Sequence, residues 1–325
     1  MVDFHNKCSI ISYLDRLKCP YEIDVPLSKK TWIKTGGDCA LWIEPQSVSQ
    51  LENLCRYLYK INSKFDLVGQ TSNIFFHSTY QPQVVVSTTK INHYEIKDDI
   101  IISECGVSVV KLAKDCLSEG YAGFYGLVGL PGTVASAIVN NAGCFDCSLS
   151  SMLVSADVLM NDGSVRTINK DVFGFSHRSS VFKRKEIDGV ILTIRLKIIK
   201  SANIDDELNK SKETVVYRRE KQEKYNGNLG SIYAKKRRKN NWRNSLEYYV
   251  WRILSSFFAL HNRRIIEKRF LLFLYGYRDL NPYVSDKNIN TFIWKDSLAE
   301  EKFTRYKKFM ASVYDDLSIE IEEKK

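Results

Sequence analysis

Residues 130–143 read LPGTVASAIVNNAG, and this stretch decides the fold. Pro131 and Gly132 stand at a predicted helix start, and small residues follow on the helix itself. A helix start presents backbone N–H groups and the positive end of the helix dipole, which suit a pyrophosphate. The following segment, residues 140–143, offers an amide side chain and bare backbone to a flat ring. An ordinary turn before a tightly packed helix is the alternative for this stretch alone.

A second stretch, residues 67–74 (LVGQTSNI), reads as a strand that runs into a small polar loop. Such a loop can aim successive N–H groups and two hydroxyls at a phosphate. Apolar periodicity predicts alternating elements around both stretches. The predicted strands are 39–43, 65–68, 83–88, 100–104, 154–160, 164–168, 190–199 and 318–322. The predicted helices are 10–17, one that begins after Ser47, 109–118, 205–224 and 300–313.

Four segments, in this order, resemble the UDP-N-acetylenolpyruvoylglucosamine reductase family, the flavoenzymes of peptidoglycan precursor synthesis. They are residues 31–37 (TWIKTGG), 69–73 (GQTSN), 130–143 and 174–183 (GFSHRSSVFK). The resemblance implies an α+β chain with a two-subdomain FAD-binding fold of the vanillyl-alcohol-oxidase type, followed by a smaller α/β substrate domain. We place an N-terminal helical segment at 1–25, the FAD-binding domain at 26–200 and the substrate domain at 201–325. The two FAD subdomains are about 26–90 and 91–200, and a basic helical insertion spans about 235–275.

The resemblance also implies the cofactors, FAD and NADPH, and the residues that hold FAD. The expected FAD contacts are Gly69, Gln70, Thr71, Ser72, Asn73, Pro131, Gly132, Thr133, Ser136, Asn141, Ala142 and Gly143.

Three expected catalytic residues come from the same resemblance. Residues 226–233 (NGNLGSIY) look like the family's strand whose serine protonates the intermediate, here Ser231. Residues 317–322 look like the strand with the last catalytic carboxylate, here Glu322. Hydride addition to an enolpyruvyl ether leaves negative charge beside a carboxylate, and the forked guanidinium of Arg178 suits that charge. The plain alternatives are a surface arginine, a strand serine and one glutamate of a charged tail.

The substrate is less closely defined than the reaction. Residues 284–292 (VSDKNINTF) resemble the family's substrate element, so Lys287 and Asn290, together with Lys235, are expected to bind substrate. Several positions depart from the family: His177, residues 135–136, residues 70–71 and residues 234–236. They leave room for another enolpyruvyl sugar. Two further alternatives are an FAD-linked alcohol oxidase or dehydrogenase and a non-catalytic flavin-binding protein that acts through its basic segment.

Composition favours a cytoplasmic protein without a metal centre. The N-terminus has no signal-peptide pattern, and the eight cysteines are scattered through periodic segments, which fits a reducing compartment. Only Cys144 and Cys147 have C-x-x-C spacing, and two small buried side chains are the more ordinary interpretation. The longest apolar run, near residues 248–260, is too short to span a bilayer.

Nearly all of the net charge lies in one segment. Residues 235–269 hold eleven Lys/Arg and two Glu, a net charge of +9 in a chain of +10. An amphipathic helix is predicted after the basic run 235–239; its apolar face comprises Trp242, Leu246, Tyr249, Val250, Ile253, Phe257 and Leu260. We expect this face either to pack as a lid on the substrate domain or to lie on the inner membrane surface. Nucleic acid is not an expected partner, and the oligomeric state stays open.

Overall fold

The computed structural model describes residues 4–223, 227–257 and 263–325, and the chain divides into two compact units. The first comprises Met1–Thr31, Gly36–Ser72 and Tyr80–Val216. The second comprises Trp32–Thr35, Asn73–Thr79 and Tyr217–Lys325.

The helices are α1 (Phe4–Leu17), α2 (Val48–Lys60), α3 (Val109–Ser118), α4 (Val134–Val139), α5 (Leu149–Met152), α6 (Ile204–Lys221), α7 (Trp242–Phe257), α8 (Arg263–Leu274) and α9 (Ala299–Val313). The strands are β1 (Tyr21–Pro26), β2 (Asp38–Ile43), β3 (Asp66–Val68), β4 (Ile74–Phe76), β5 (Val84–Ser87), β6 (Tyr94–Lys97), β7 (Ile100–Glu104), β8 (Gly143–Cys144), β9 (Cys147–Ser148), β10 (Leu153–Met160), β11 (Val165–Asn169), β12 (Gly189–Lys197), β13 (Tyr233–Arg238), β14 (Tyr314–Ile319) and β15 (Glu322–Lys324).

The first sheet of the first unit has the strand order β1-β2-β5-β3. Its pairs are parallel except for β1 with β2. Helix α2 belongs to the same core and begins where the sequence predicts, because the side chain of Ser47 accepts a hydrogen bond from the backbone N–H of Gln50. Its apolar side buries Leu51, Leu54 and Leu58.

The second sheet of the first unit is antiparallel, in the order β11-β10-β12-β7-β6. A tight turn at residues 161–163 joins β10 to β11, close to the strands predicted at 154–160 and 164–168, and Gly163 takes the positive φ of 83° that this turn requires. Helices α3 and α4 contribute to the buried core of this sheet. That packing fixes the position of residues 130–143.

The second unit is built around aromatic side chains. Phe75, Phe292, Trp294 and Phe303 form a cluster with ring centroids 4.9–5.4 Å apart. Helix α9 contributes Phe303 to it and also buries Phe309 and Val313. Two pairs of strands complete the unit: β13 with β14, antiparallel, and β4 with β15, parallel.

The structure differs from the sequence-based expectations in three places. Most of the basic run 235–239 lies in strand β13, which pairs with β14, and not in a helix. The predicted strand 318–322 is divided, because β14 ends at Ile319 and β15 begins at Glu322 to pair with β4. The boundary between the compact units follows Val216, inside α6, whereas the expected domain boundary was residue 200. In the part of the chain that the structure describes, no helix combines the length and apolarity that crossing a membrane requires.

The aromatic cluster should dominate the stability of the second unit. Phe303 is fully buried, so Phe303→Ala should lower the free energy of unfolding by about 3–5 kcal/mol. Phe273 is exposed, and Phe273→Ala should change it by less than about 1 kcal/mol. Denaturant titration of both variants checks this, and equal losses would contradict the core assignment.

Candidate active site

Two loops of the first unit lie against each other at the predicted cofactor site. A Cβ atom on Gly69 would stand 2.7 Å from Oγ1 of Thr133, so the loops approach as closely as glycine permits. The hydroxyl of Ser72 donates to the carbonyl of Pro131 at 3.2 Å. The side-chain oxygen of Gln70 accepts from the backbone N–H of Gly132 at 2.9 Å. The loop at 69–72 and the loop at 130–133 therefore form one joined surface.

The start of α4 is already capped from within the protein. Thr133 and Ser136 form a capping box, in which each side chain accepts from the other residue's backbone N–H, at 3.3 and 3.0 Å. The N–H groups of Val134 and Ala135 donate to carbonyls of residues 107 and 105. With Gln70 on Gly132, every N–H from residue 132 to 136 has a partner. The fold uses these donors itself, and the expectation that this helix start receives the pyrophosphate stays a prediction.

The loop at 69–72 is a better candidate for a phosphate-binding site than the start of α4. Within the described residues, the backbone N–H groups of Gln70 and Ser72 make no intramolecular hydrogen bond. Residues 69–73 and 130–136 contain no carboxylate that would repel an anion. This set of neutral donors fits the phosphates of a dinucleotide cofactor. Gln70, Thr71 and Ser72 would hold them.

Thr71 has a backbone conformation in this loop that usually favours glycine. It is buried and has a φ of 55°, in the left-handed region that a β-branched residue rarely adopts. A conformation held against this preference indicates that the surrounding structure, not the residue type, determines it.

Arg178 lies in a tight turn that is bonded to the predicted ring-binding segment. Ser176 and Ser179 exchange two backbone hydrogen bonds of 3.1 Å across the turn, and Arg178 has a φ of 54°. The side-chain amide of Asn141 donates to the carbonyl of Ser176 at 2.7 Å. The hydroxyl of Ser180 donates to the carbonyl of Val139 at 2.6 Å. The structure thus brings Arg178 and Asn141 together in the first unit.

Ser231 belongs to the second unit and is placed by Asn290. The side-chain oxygen of Asn290 accepts from the N–H of Tyr233 at 3.1 Å, and its NH2 group donates to the Tyr233 carbonyl at 2.8 Å. The backbone carbonyl of Asn290 accepts from the N–H of Ile232 at 2.9 Å. Asn290 is buried, and both the oxygen and the NH2 group of its amide take part in these bonds. Asn290 therefore positions the strand after Ser231, and its contact with the substrate stays a prediction.

Glu322 lies on β15, beside the end of the second predicted cofactor stretch. Asn73 belongs to the second unit, where its carbonyl accepts from the N–H of Glu322 at 2.9 Å. Its amide donates to the carbonyl of Glu320 at 3.2 Å. The carboxylate of Glu322 is half-exposed and pairs with Lys324 at 2.8 Å. Asn73 therefore holds the strand that carries Glu322, a part the sequence analysis did not foresee.

The neighbouring Glu323 was missed by the sequence analysis. Its carboxylate accepts from Lys307 at 2.9 Å and contacts the ring of His77 at 3.2 Å. Burial acts to raise the pKa of Glu323, but the hydrogen bonds from Lys307 and His77 outweigh it and hold the pKa below its usual value. This charged network anchors β15 and so fixes the backbone of Glu322.

The remaining predicted residues divide between structural and exposed positions. The ammonium group of Lys287 donates to the carbonyls of Arg219 and Gln222 at 2.8 and 2.9 Å, near the end of α6. Lys235 is exposed on β13. Cys144 and Cys147 face each other across a short hairpin as free thiols. Among the described residues no group of His, Cys, Asp or Glu could hold a metal ion.

Comparison with known proteins confirms the flavin fold and the resemblance. Residues 39–169 match the FAD binding domain family. The UDP-N-acetylenolpyruvoylglucosamine reductase of Caldicellulosiruptor saccharolyticus is 27% identical over 222 residues, 68% of this chain and 71% of that protein. That of Nostoc sp. is 30% identical over 188 residues, 56% of this chain and 57% of that protein. The crystal structure of UDP-N-acetylenolpyruvylglucosamine reductase from Thermus caldophilus has the same fold, with a TM-score of 0.64, 18% identity, and coverage of 94% of this chain and 99% of that one.

The contact of the two loops predicts how flavin retention depends on Gly69. In Gly69→Ala the new methyl group meets Thr133, so the loops must separate and the purified protein should lose most of its flavin. Gly120→Ala is the matched control: its φ of 82° brings backbone strain, but a Cβ there meets nothing within 4 Å. The ratio of visible to ultraviolet absorbance measures retention. Equal flavin in Gly69→Ala and the unaltered protein would refute the loop assignment.

Proposed function

We propose that this chain, a divergent relative of the UDP-N-acetylenolpyruvoylglucosamine reductases, is an FAD-dependent reductase of an enolpyruvyl sugar ether. NADPH is the reductant, and the product is the 1-carboxyethyl (lactyl) ether. The substrate is the enolpyruvyl ether of UDP-N-acetylglucosamine or of a related sugar of surface polysaccharides. The observation that carries the proposal is the strained turn of Arg178, which is bonded to Asn141 in a flavin-binding fold.

The reaction requires one hydride and one proton. FAD, when bound, would supply the means to pass a hydride from NADPH to the terminal carbon of the substrate. The carbon–carbon double bond then becomes a single bond, the adjoining carbon takes a proton, and NADPH leaves as NADP⁺. The work of this chain's own residues is to stabilise the charge on the adjoining carbon and its carboxylate and to deliver the proton.

Arg178 would bind the carboxylate of the substrate. Its guanidinium is always charged and offers parallel N–H donors that match the two oxygens of a carboxylate. A left-handed residue in a two-residue turn costs of order 1–3 kcal/mol, and such strain is common at functional positions. The bonds from Asn141 and Ser180 hold the turn in place, so the cation is oriented before substrate arrives.

Ser231 would supply the proton. A hydroxyl is a weak acid, but a carbanion-like carbon is a strong base, so the transfer is favourable in that direction. Gly230, with a φ of 74°, precedes Ser231, and the Asn290 bonds fix the backbone after it. These restraints limit the positions that the hydroxyl can take.

Glu322 would orient the proton donor or its water. Its carboxylate is half-exposed, and its backbone is held by Asn73 and by the Glu323 network. Lys235 and Lys287 are the proposed contacts to the sugar or nucleotide, with Lys235 the more accessible of the two. We also propose a cytoplasmic location, with the enzyme working at the inner face of the membrane.

The direct experiment is product analysis. Purified protein, NADPH and the enolpyruvyl ether of UDP-N-acetylglucosamine should yield a lactyl ether heavier than the substrate by two hydrogen atoms, with equal formation of NADP⁺. Mass spectrometry checks the product. NADPH oxidation without product would refute this substrate, and enolpyruvyl ethers of other sugars then distinguish a changed substrate from a wrong reaction.

The role of Ser231 predicts a split between half-reactions. Ser231→Ala should bleach the flavin with NADPH at nearly the original rate, because the serine is not assigned to cofactor binding. Recovery of colour on adding substrate should slow by roughly 10²- to 10⁴-fold, the usual effect of losing a general acid. Ser318→Ala, at an exposed strand serine, is the control. Equal slowing of both half-reactions would remove Ser231 from this role.

The strained turn predicts opposite effects on stability and turnover at Arg178. Arg178→Gly should raise the free energy of unfolding by about 1 kcal/mol, because glycine adopts positive φ without a Cβ clash, yet it should abolish turnover. Arg178→Lys should reduce turnover roughly a hundredfold. Lys185→Gly is the matched control, since exposed Lys185 has a φ of 59°. It should gain similar stability with unchanged turnover, and unchanged turnover in Arg178→Lys would refute the role.

A further inference from the structure

Helix α7 exposes its apolar side. Four large side chains spaced four, three and four residues apart share one face, and all are exposed: Trp242 by 67%, Leu246 by 41%, Tyr249 by 58% and Ile253 by 59%. They form a stripe about 16 Å long at the rise of an α-helix. We call these four residues the α7 stripe.

Two buried polar side chains of α7, Asn244 and Glu247, point away from the stripe and fix its outward direction. The side-chain amide of Asn244 donates to the carbonyls of Lys239 and Val313, at 2.8 and 3.0 Å. Glu247 is buried and forms an ion pair with Arg238. Turning α7 to bury the stripe would break these bonds and expose the pair. The expectation that this face packs as a lid is therefore wrong for the residues that the structure describes.

Basic side chains flank the stripe. The guanidinium of Arg243 lies 5.2 Å from the ring of Trp242. Strand β13, which leads toward α7, exposes the run from Lys235 to Arg238. Part of this charge is balanced, since Arg237 pairs with Asp316 and Lys239 with Asp315. The segment 235–269 still carries +9 in a chain of +10, so its surroundings are strongly electropositive.

We propose that the α7 stripe and its basic flank bind an anionic lipid surface. Exposed aliphatic side chains can enter the boundary between headgroups and acyl chains, aromatic rings suit the headgroup level, and nearby cations attract anionic lipids. A second copy of this chain is a poorer occupant, because two such stripes in contact would bring two segments of +9 together. The four residues of the α7 stripe have no role in the proposed reaction, so the proposal does not depend on the catalytic one.

The test is flotation of the full chain with vesicles of phosphatidylcholine alone and with phosphatidylglycerol added. The protein should float with the anionic vesicles at low salt and be released at high salt. Trp242→Ser/Ile253→Ser should weaken the binding by about tenfold or more. Arg237→Gln/Arg243→Gln should weaken it by roughly fivefold per removed charge. Controls are Ile23→Ser/Ile199→Ser, at exposed apolar positions elsewhere, and Lys97→Gln/Lys197→Gln, at exposed lysines elsewhere.

The proposal is supported if Trp242→Ser/Ile253→Ser and Arg237→Gln/Arg243→Gln both weaken binding while both control variants keep it. Three results would overturn it: absence of binding to anionic vesicles, equal binding to neutral vesicles at high salt, or full binding by Trp242→Ser/Ile253→Ser. A dimer seen by sedimentation that this variant dissociates would assign the stripe to a second copy and would also overturn it. Circular dichroism of each variant shows that α7 and the rest of the fold remain.

Discussion

The close approach of Gly69 to Thr133 is the constraint on which the flavin site depends. It brings the loop after β3 to the loop before α4 with no room for a side chain between them. The bonds from Ser72 to Pro131 and from Gly132 to Gln70 follow from that approach. Together they fix the loop whose N–H groups are proposed to hold the cofactor phosphates.

The same core fixes the segment that holds Arg178. Helix α4 is packed into the core of the second sheet, and the segment after it carries Asn141, whose amide bonds to the turn of Arg178. The expected FAD segment and the turn of Arg178 thus share one support. In the second unit, Asn73 and Asn290 do comparable work for Glu322 and Ser231, since each uses its amide on backbone groups of a neighbouring strand. In each unit, neutral amides thus hold the backbone beside a proposed catalytic residue.

Much of the fold could be predicted from the sequence, because apolar periodicity and capping residues act locally. Helix α2 begins after Ser47 as expected, and the strands predicted at 154–160 and 164–168 form as β10 and β11. The orientation of α7 could not be predicted in this way. Periodicity shows that a helix has two faces, but it does not show which face is buried. Here that is decided by the hydrogen bond from Asn244 to Val313 and the ion pair of Glu247 with Arg238, which join α7 to other elements. The bonds at the start of α4 could not be predicted for the same reason. The N–H groups of Val134 and Ala135 donate to carbonyls of residues 107 and 105, which belong to another part of the chain.

The fold is that of a flavin-binding protein, and we propose that it passes electrons from NADPH to an enolpyruvyl sugar. The most direct measurement is the visible spectrum of the purified, unaltered protein without oxygen. We expect a bound-flavin spectrum that NADPH bleaches and that an enolpyruvyl sugar then restores. Protein that retains no flavin when FAD is supplied, or bleached flavin that no enolpyruvyl sugar restores, would contradict it.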